Sequence, residues 1–158
     1  MKVGIVMGSI SDWPVMKEAV TVLNDFGIDI DKRVLSAHRT PHELEEWVES
    51  ADKLGISVFI AGAGGAAHLA GSVAALTTLP VIGVPVKSRS LGGFDSLLSM
   101  VQMPPGIPVA TVGVDGARNA GLLAIEMMAI SNPDLTEKLN AFRRKQVEKI
   151  LATKFPEE

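Results

Sequence analysis

The 158 residues contain no cysteine and no tyrosine. Without cysteine there can be no disulfide, no thiolate nucleophile and no Cys-type zinc site. The composition is compatible with a reducing compartment. Aromatic residues make up only 4% of the chain against 47% hydrophobic residues. The core must therefore be built from Val, Ile, Leu, Ala and Met. A basic excess is also missing. Fifteen Lys and Arg against 18 Asp and Glu leave a net charge of −3, which argues against nucleic acid as the main partner. The chain opens directly on a strand signal, Lys2 to Met7, without a charged leader or a cleavage site, so a cytoplasmic location is expected.

Charge is absent from one long run. Between Leu54 and Val86 there is no Asp, Glu, Lys or Arg. Length alone would permit a membrane helix, but repeated glycines, together with Pro80 and Pro85, break the run too often. It reads instead as a buried strand, a glycine loop, a small-residue helix and a second buried strand. A lone small domain would expose part of it, which points to a subunit interface.

What is present is an alternation of strand and helix signals within a single domain, 1–158. Strands are predicted at Lys2–Met7, Ile28–Leu35, Ile56–Ala61, Val81–Val84 and Val109–Val112. Helical spacing links Val15, Met16, Ala19, Val22, Leu23 and Phe26, and Gly27 stops that helix. A second helical face runs through Leu44, Trp47, Val48, Ala51 and Leu54 to Gly55. Further helices are predicted at Ala66–Leu76, Asp95–Gln102 and Ala117–Ile130. Strands apolar on both faces, each followed by a helix, imply a parallel sheet covered on both sides. The expectation is a three-layer, flavodoxin-like α/β domain with strand order 2-1-3-4-5. After a core of residues 1–131, a charged amphipathic tail helix within 132–158 packs either on its own domain or on a neighbouring subunit.

In such a sheet, ligands bind beyond the carboxyl ends of the strands at the switch point. The loops after strands one, two and three should meet there, and they hold the three unusual motifs. The first is Gly8-Ser9-Ile10-Ser11-Asp12-Trp13-Pro14. Ser9 and Ser11 offer hydroxyls. Asp12 would repel phosphate and suits ribose hydroxyls, although helix capping by Ser11 or Asp12 accounts for the pattern equally well. The second is Ser36-Ala37-His38-Arg39-Thr40-Pro41. Thr40 reads as an N-cap, with Pro41 at the first helical position and Glu43 completing a capping box. Capping explains neither Arg39, a planar cationic donor suited to phosphate, nor His38, the side chain best suited to proton transfer near neutral pH. His42 lies four residues after His38, but His38 precedes the helix, the two share no helical face and no third ligand is apparent, so no metal site is expected and His42 reads as a solvated surface residue. The third is Gly62-Ala63-Gly64-Gly65-Ala66-Ala67-His68-Leu69. It matches a dinucleotide fingerprint only loosely. It follows the third strand, and no acidic residue lies about twenty positions on, so NAD is not expected. Its glycines suit close approach of backbone to a flat ligand or a carboxylate. His68 is either a ligand contact or a satisfied, partly buried histidine.

Several motifs are missing. There is no P-loop and hence no support for ATP chemistry. There is no G-x-S-x-G elbow, and the acidic residues of a receiver domain are absent. A non-catalytic module binding a nucleotide or flavin remains the alternative to an enzyme acting on a phosphorylated substrate.

Together these motifs resemble the class I N5-carboxyaminoimidazole ribonucleotide mutases, the PurE family of purine biosynthesis. The resemblance extends through Pro80-Val81-Ile82-Gly83-Val84-Pro85-Val86, Asp95-Ser96-Leu97-Leu98-Ser99, Val101-Gln102-Met103-Pro104, Pro108-Val109-Ala110-Thr111 and Asn119-Ala120. Arg39 and the Gly65-Ala66-Ala67-His68 run look like the mutase. The related direct carboxylases carry a lysine and a different glycine loop. Two departures are visible: Ala70 stands where the family usually has proline, and the 113–118 connection is altered.

The resemblance implies an isomerase that moves a carboxylate from the exocyclic nitrogen to a ring carbon, without ATP, biotin, metal or other cofactor. The implied path is enclosed decarboxylation and recarboxylation, with His38 as general acid/base. Ser9 and Arg39 would bind phosphate and Asp12 the ribose, with Ser11 and Ser36 completing the binding set. The loop Gly64, Gly65, Ala66, His68 and Leu69 would hold the base and the migrating carboxylate. The family relationship also implies a homo-octamer with sites between subunits.

Overall fold

The computed structural model describes residues 1–155, so residues 156–158 of the expected tail lie outside the described residues. One parallel five-stranded sheet runs in the order β2-β1-β3-β4-β5. Its strands are β1 (Lys2–Met7), β2 (Asp29–Val34), β3 (Ile56–Gly64), β4 (Val81–Val86) and β5 (Ala110–Thr111). The architecture is flavodoxin-like.

Strand alternation divides the core into two layers. Val3, Ile5 and Met7, with Val58, Ile60, Ile82 and Val84, face helices α1 (Trp13–Asp25), α6 (Ala117–Ala129) and α7 (Pro133–Leu151). Val6, Phe59, Ala61 and Val81 face the other way. They meet α2 (Pro41–Glu49), α3 (Ala51–Leu54), α4 (Leu69–Ala75) and Met100 of α5 (Phe94–Val101). The uncharged run from Leu54 to Val86 supplies β3, α4 and β4, and most of it is absorbed by this core. No helix among the described residues is long and apolar enough to cross a membrane.

Several elements depart from expectation for local reasons. β2 is not apolar on both faces. It is an edge strand with most residues exposed, as suits a strand with one free side. On it Asp31 accepts from Arg33 Nε at 2.9 Å and from the indole Nε1 of buried Trp47 at 3.0 Å. The helical face from Leu44 to Leu54 is split at Ser50, whose hydroxyl donates to the Trp47 carbonyl at 2.8 Å. β3 extends to Gly64, paired opposite Val86. The following helix starts at Leu69 rather than Ala66, because residues 65–68 form a turn closed by the His68 N–H on the Ala66 carbonyl. Ala70 lies fully buried in the first turn of that helix, a place where proline is also tolerated.

The first half of α7 packs on its own domain. Leu135 and Leu139 join the α1/α6 layer. Phe142 meets Phe26 edge-on at 5.7 Å, and Lys138 Nζ donates to the Phe26 carbonyl at 2.9 Å. Farther along, Val147, Ile150 and Leu151 are exposed.

Candidate active site

The loops after β1, β2 and β3 meet at the carboxyl edge of the sheet and enclose a cleft of about 410 Å³. Backbone bonds join the three strand ends. The Leu35 amide donates to the Met7 carbonyl at 3.0 Å, and the Gly8 amide to the Gly62 carbonyl at 3.3 Å. Ser9, Ser11, Asp12, Ser36, His38, Arg39, Gly64, Ala66, His68 and Leu69 all line the cleft. Gly65 does not. It forms the turn behind the wall, at φ +68°, where glycine is favoured. A larger hollow of about 990 Å³ opens at the opposite end of the sheet, beside Leu79, Pro80 and Ile107. Its charged residues are Glu49 and Asp52, so it offers an anion no cationic donor.

In the first loop, Ser9 Oγ accepts from the Ser11 amide and hydroxyl at 3.3 and 2.9 Å, closing a 3-10 turn. Asp12 occupies the N-cap position of α1, yet its side chain makes no cap hydrogen bond. Capping therefore does not explain this carboxylate. It is buried, and burial pushes its pKa upward, against the Ser9 amide, the Ser11 hydroxyl and the charge of Arg39.

In the second loop, Ser36 organises the turn. Its hydroxyl accepts from the Arg39 amide and from Arg39 Nε, both at 3.3 Å, while Arg39 Nη2 donates to the Gly8 carbonyl at 2.8 Å. The guanidinium thus bridges the first two loops. Thr40 does not cap α2 as the sequence predicts. Its hydroxyl turns back to Ser36, accepting from the amide at 2.8 Å and donating to the carbonyl at 3.2 Å. The same threonine that would close a helix end closes the His-Arg turn instead.

The third loop brings His68 to the second. His38 Nε2 lies 2.9 Å from His68 Nδ1, and the rings meet edge-on with centroids 5.0 Å apart. One nitrogen of the pair donates and the other accepts, so the two imidazoles form a path along which a proton can be handed on. Sequence reasoning found both residues but not their contact. Ser96 lies in one of the runs that carry the resemblance, but nothing in the sequence ties it to the glycine loop, where its hydroxyl accepts from the Gly65 amide at 2.9 Å. His42 is exposed on α2, away from the pair.

The parallel sheet, with an imidazole pair and a tethered guanidinium gathered at its carboxyl edge, is that of an α/β enzyme. Residues 2–149 match the family described as AIR carboxylase, and the chain belongs to that family. A protein of Pyrococcus abyssi is 64% identical over 142 residues, covering 90% of this chain and 82% of its own length. One of Vibrio cholerae is 55% identical over 160 aligned positions, covering 100% and 99%. Both are named N5-carboxyaminoimidazole ribonucleotide mutase. Among solved structures, PurE of Treponema denticola superposes with a TM-score of 0.86 at 28% identity, covering 94% of this chain and 93% of that one.

Proposed function

We propose that this chain is an N5-carboxyaminoimidazole ribonucleotide mutase in which His38 is the general acid/base. The observation that carries the reading is the 2.9 Å contact between His38 and His68 inside a cleft whose other walls suit a ribonucleotide. Arg39 and Ser9 face the phosphate, Asp12 accepts from the ribose, and Ser11 and Ser36 complete the polar wall. The Gly64–Leu69 loop lies against the heterocycle and the migrating carboxylate.

The chemistry balances without a cofactor. Breaking the bond between the exocyclic nitrogen and the carboxylate releases carbon dioxide, and that nitrogen takes up a proton. The ring carbon then attacks carbon dioxide, and the proton on that carbon is removed. One proton enters and one leaves, so a single imidazole serves both steps, with His68 as the neighbour that relays it. Carbon dioxide must not escape between the steps, so the cleft must be covered. His38, Arg39 and His68 are exposed in the single chain. Enclosure by neighbouring subunits of a homo-octamer, to which the exposed end of α7 offers an apolar surface, would supply the cover.

His38→Asn is expected to abolish isomerisation, followed by NMR of a 13C-labelled carboxylate, while retaining nucleotide binding. Full turnover in that variant would remove His38 from its role.

A further inference from the structure

We infer that Ser96 is a positioning residue for the His38–His68 pair, acting through the glycine loop; the inference rests on the mutase reading of the cleft. Ser96 lies on α5, outside the three loops, and is fully buried. Its hydroxyl donates to the Val86 carbonyl at 2.8 Å and accepts from the Gly65 amide at 2.9 Å. Both partners sit where the sheet ends. Gly64 and Val86 form the last pair between β3 and β4, and Gly65 is the first residue past it. The Gly65 N–H is therefore directed at Ser96, and Gly65 does not line the cleft. That contact holds Gly65 in its left-handed conformation, and only Ala66 and Ala67 separate Gly65 from His68.

The anchor itself is held from a second side. The amide of Lys87, next after Val86, donates to Asp115 Oδ1 at 2.9 Å, and the Asp115 amide donates to the Pro85 carbonyl at 2.8 Å. Asp115 has φ +58° and lies in the 113–118 connection that departs from the family pattern. The end of β4 is thus clamped between α5 and the loop before α6. A rigid anchor can transmit position. Removing the hydroxyl leaves the Gly65 amide and the Val86 carbonyl without their shared partner, and the turn is free to shift. His68 is carried with it, away from the 2.9 Å contact with His38. A displacement of about 1 Å at reacting groups lowers a rate roughly 100-fold.

The test uses Ser96→Ala and Ser96→Cys in the intact chain. Ser96→Ala is expected to lower kcat about 10- to 100-fold, with KM changed less than about threefold. In ligand-free protein, the 15N resonances of the two imidazoles should lose the signature of their mutual hydrogen bond. Ser96→Cys keeps a weak donor and acceptor in a similar shape and should recover part of both. A lower melting temperature with unchanged kcat per folded molecule and unchanged imidazole resonances would overturn the inference. If Ser96→Ala does not fold, Ser96→Gly, which also removes the hydroxyl, decides: lowered kcat with perturbed resonances supports the assignment, and wild-type values of both overturn it. Should the wild-type protein not isomerise the carboxylated nucleotide, the mutase reading fails, while the imidazole resonances still decide whether Ser96 positions the pair.

Discussion

Asp12→Asn separates two effects that a single carboxylate combines. The substitution keeps the shape of the side chain and removes its charge. Burial raises the pKa of Asp12 above its ordinary 3.8, and the Ser9 amide, the Ser11 hydroxyl and Arg39 offset that only in part. An acid with a raised pKa in the folded state holds its proton more tightly there than in the unfolded chain, so ionising it costs stability. The cost is absent well below the unfolded value of 3.8, grows as pH rises from there toward the raised folded pKa, and is complete above it. Asparagine removes the cost. No capping bond is lost in exchange, since the Asp12 side chain makes none to α1. The variant should therefore melt higher than wild type near neutral pH and lose that advantage in acid. Binding should move the other way. A hydrogen bond to a charged group contributes about 1.5–3 kcal/mol, so nucleotide affinity should fall roughly 10- to 150-fold. Scanning calorimetry across pH and titration calorimetry with the product nucleotide measure the two effects. A neutral-pH melting temperature below wild type, or undiminished nucleotide affinity, would refute a buried ribose acceptor whose ionisation costs stability.

Arg39→Glu should weaken nucleotide binding about 10- to 100-fold, mainly through the phosphate; the assignment fails if wild-type protein binds the dephosphorylated nucleoside as tightly as the nucleotide. Gly62→Ala would force a Cβ into Met16 Sδ, and Met16 is fully buried. The expected loss is about 1–3 kcal/mol, or about 2–12 °C in melting temperature; an unchanged melting curve would show that the site relaxes.

The sheet order and the meeting of three loops were legible because strand and helix signals alternate along the chain and each of the first three strands is followed by an unusual motif. The His-Arg pair stood out because capping accounted for its neighbours and not for it. Thr40 was misread for the same reason. A threonine before a proline carries a helix-start pattern, and only the tertiary turn reveals that Ser36 claims its hydroxyl. The expected strand order already places β2 at an edge, as found; what does not hold for it is the general expectation of strands apolar on both faces, because its free side exposes most of its residues. The contact between His38 and His68 spans 30 positions and that between Gly65 and Ser96 spans 31. Neither distance is encoded in any local spacing.

The backbone bonds that tie Met7 to Leu35 and Gly8 to Gly62 have a consequence for how the chain tolerates change in length. The two imidazoles are far apart along the polymer, yet His38 follows closely on the tied Leu35 and His68 on the tied Gly62, so the path through the ends of β2, β1 and β3 is much shorter than the chain between them. Residues inserted at the opposite rim, where helices return to the starts of strands, would leave that short path intact. A single residue added between β2 and His38, or between β3 and His68, would alter the reach of one arm alone. The site is thus built like a caliper, with its jaws set by loop length and its hinge locked in the sheet.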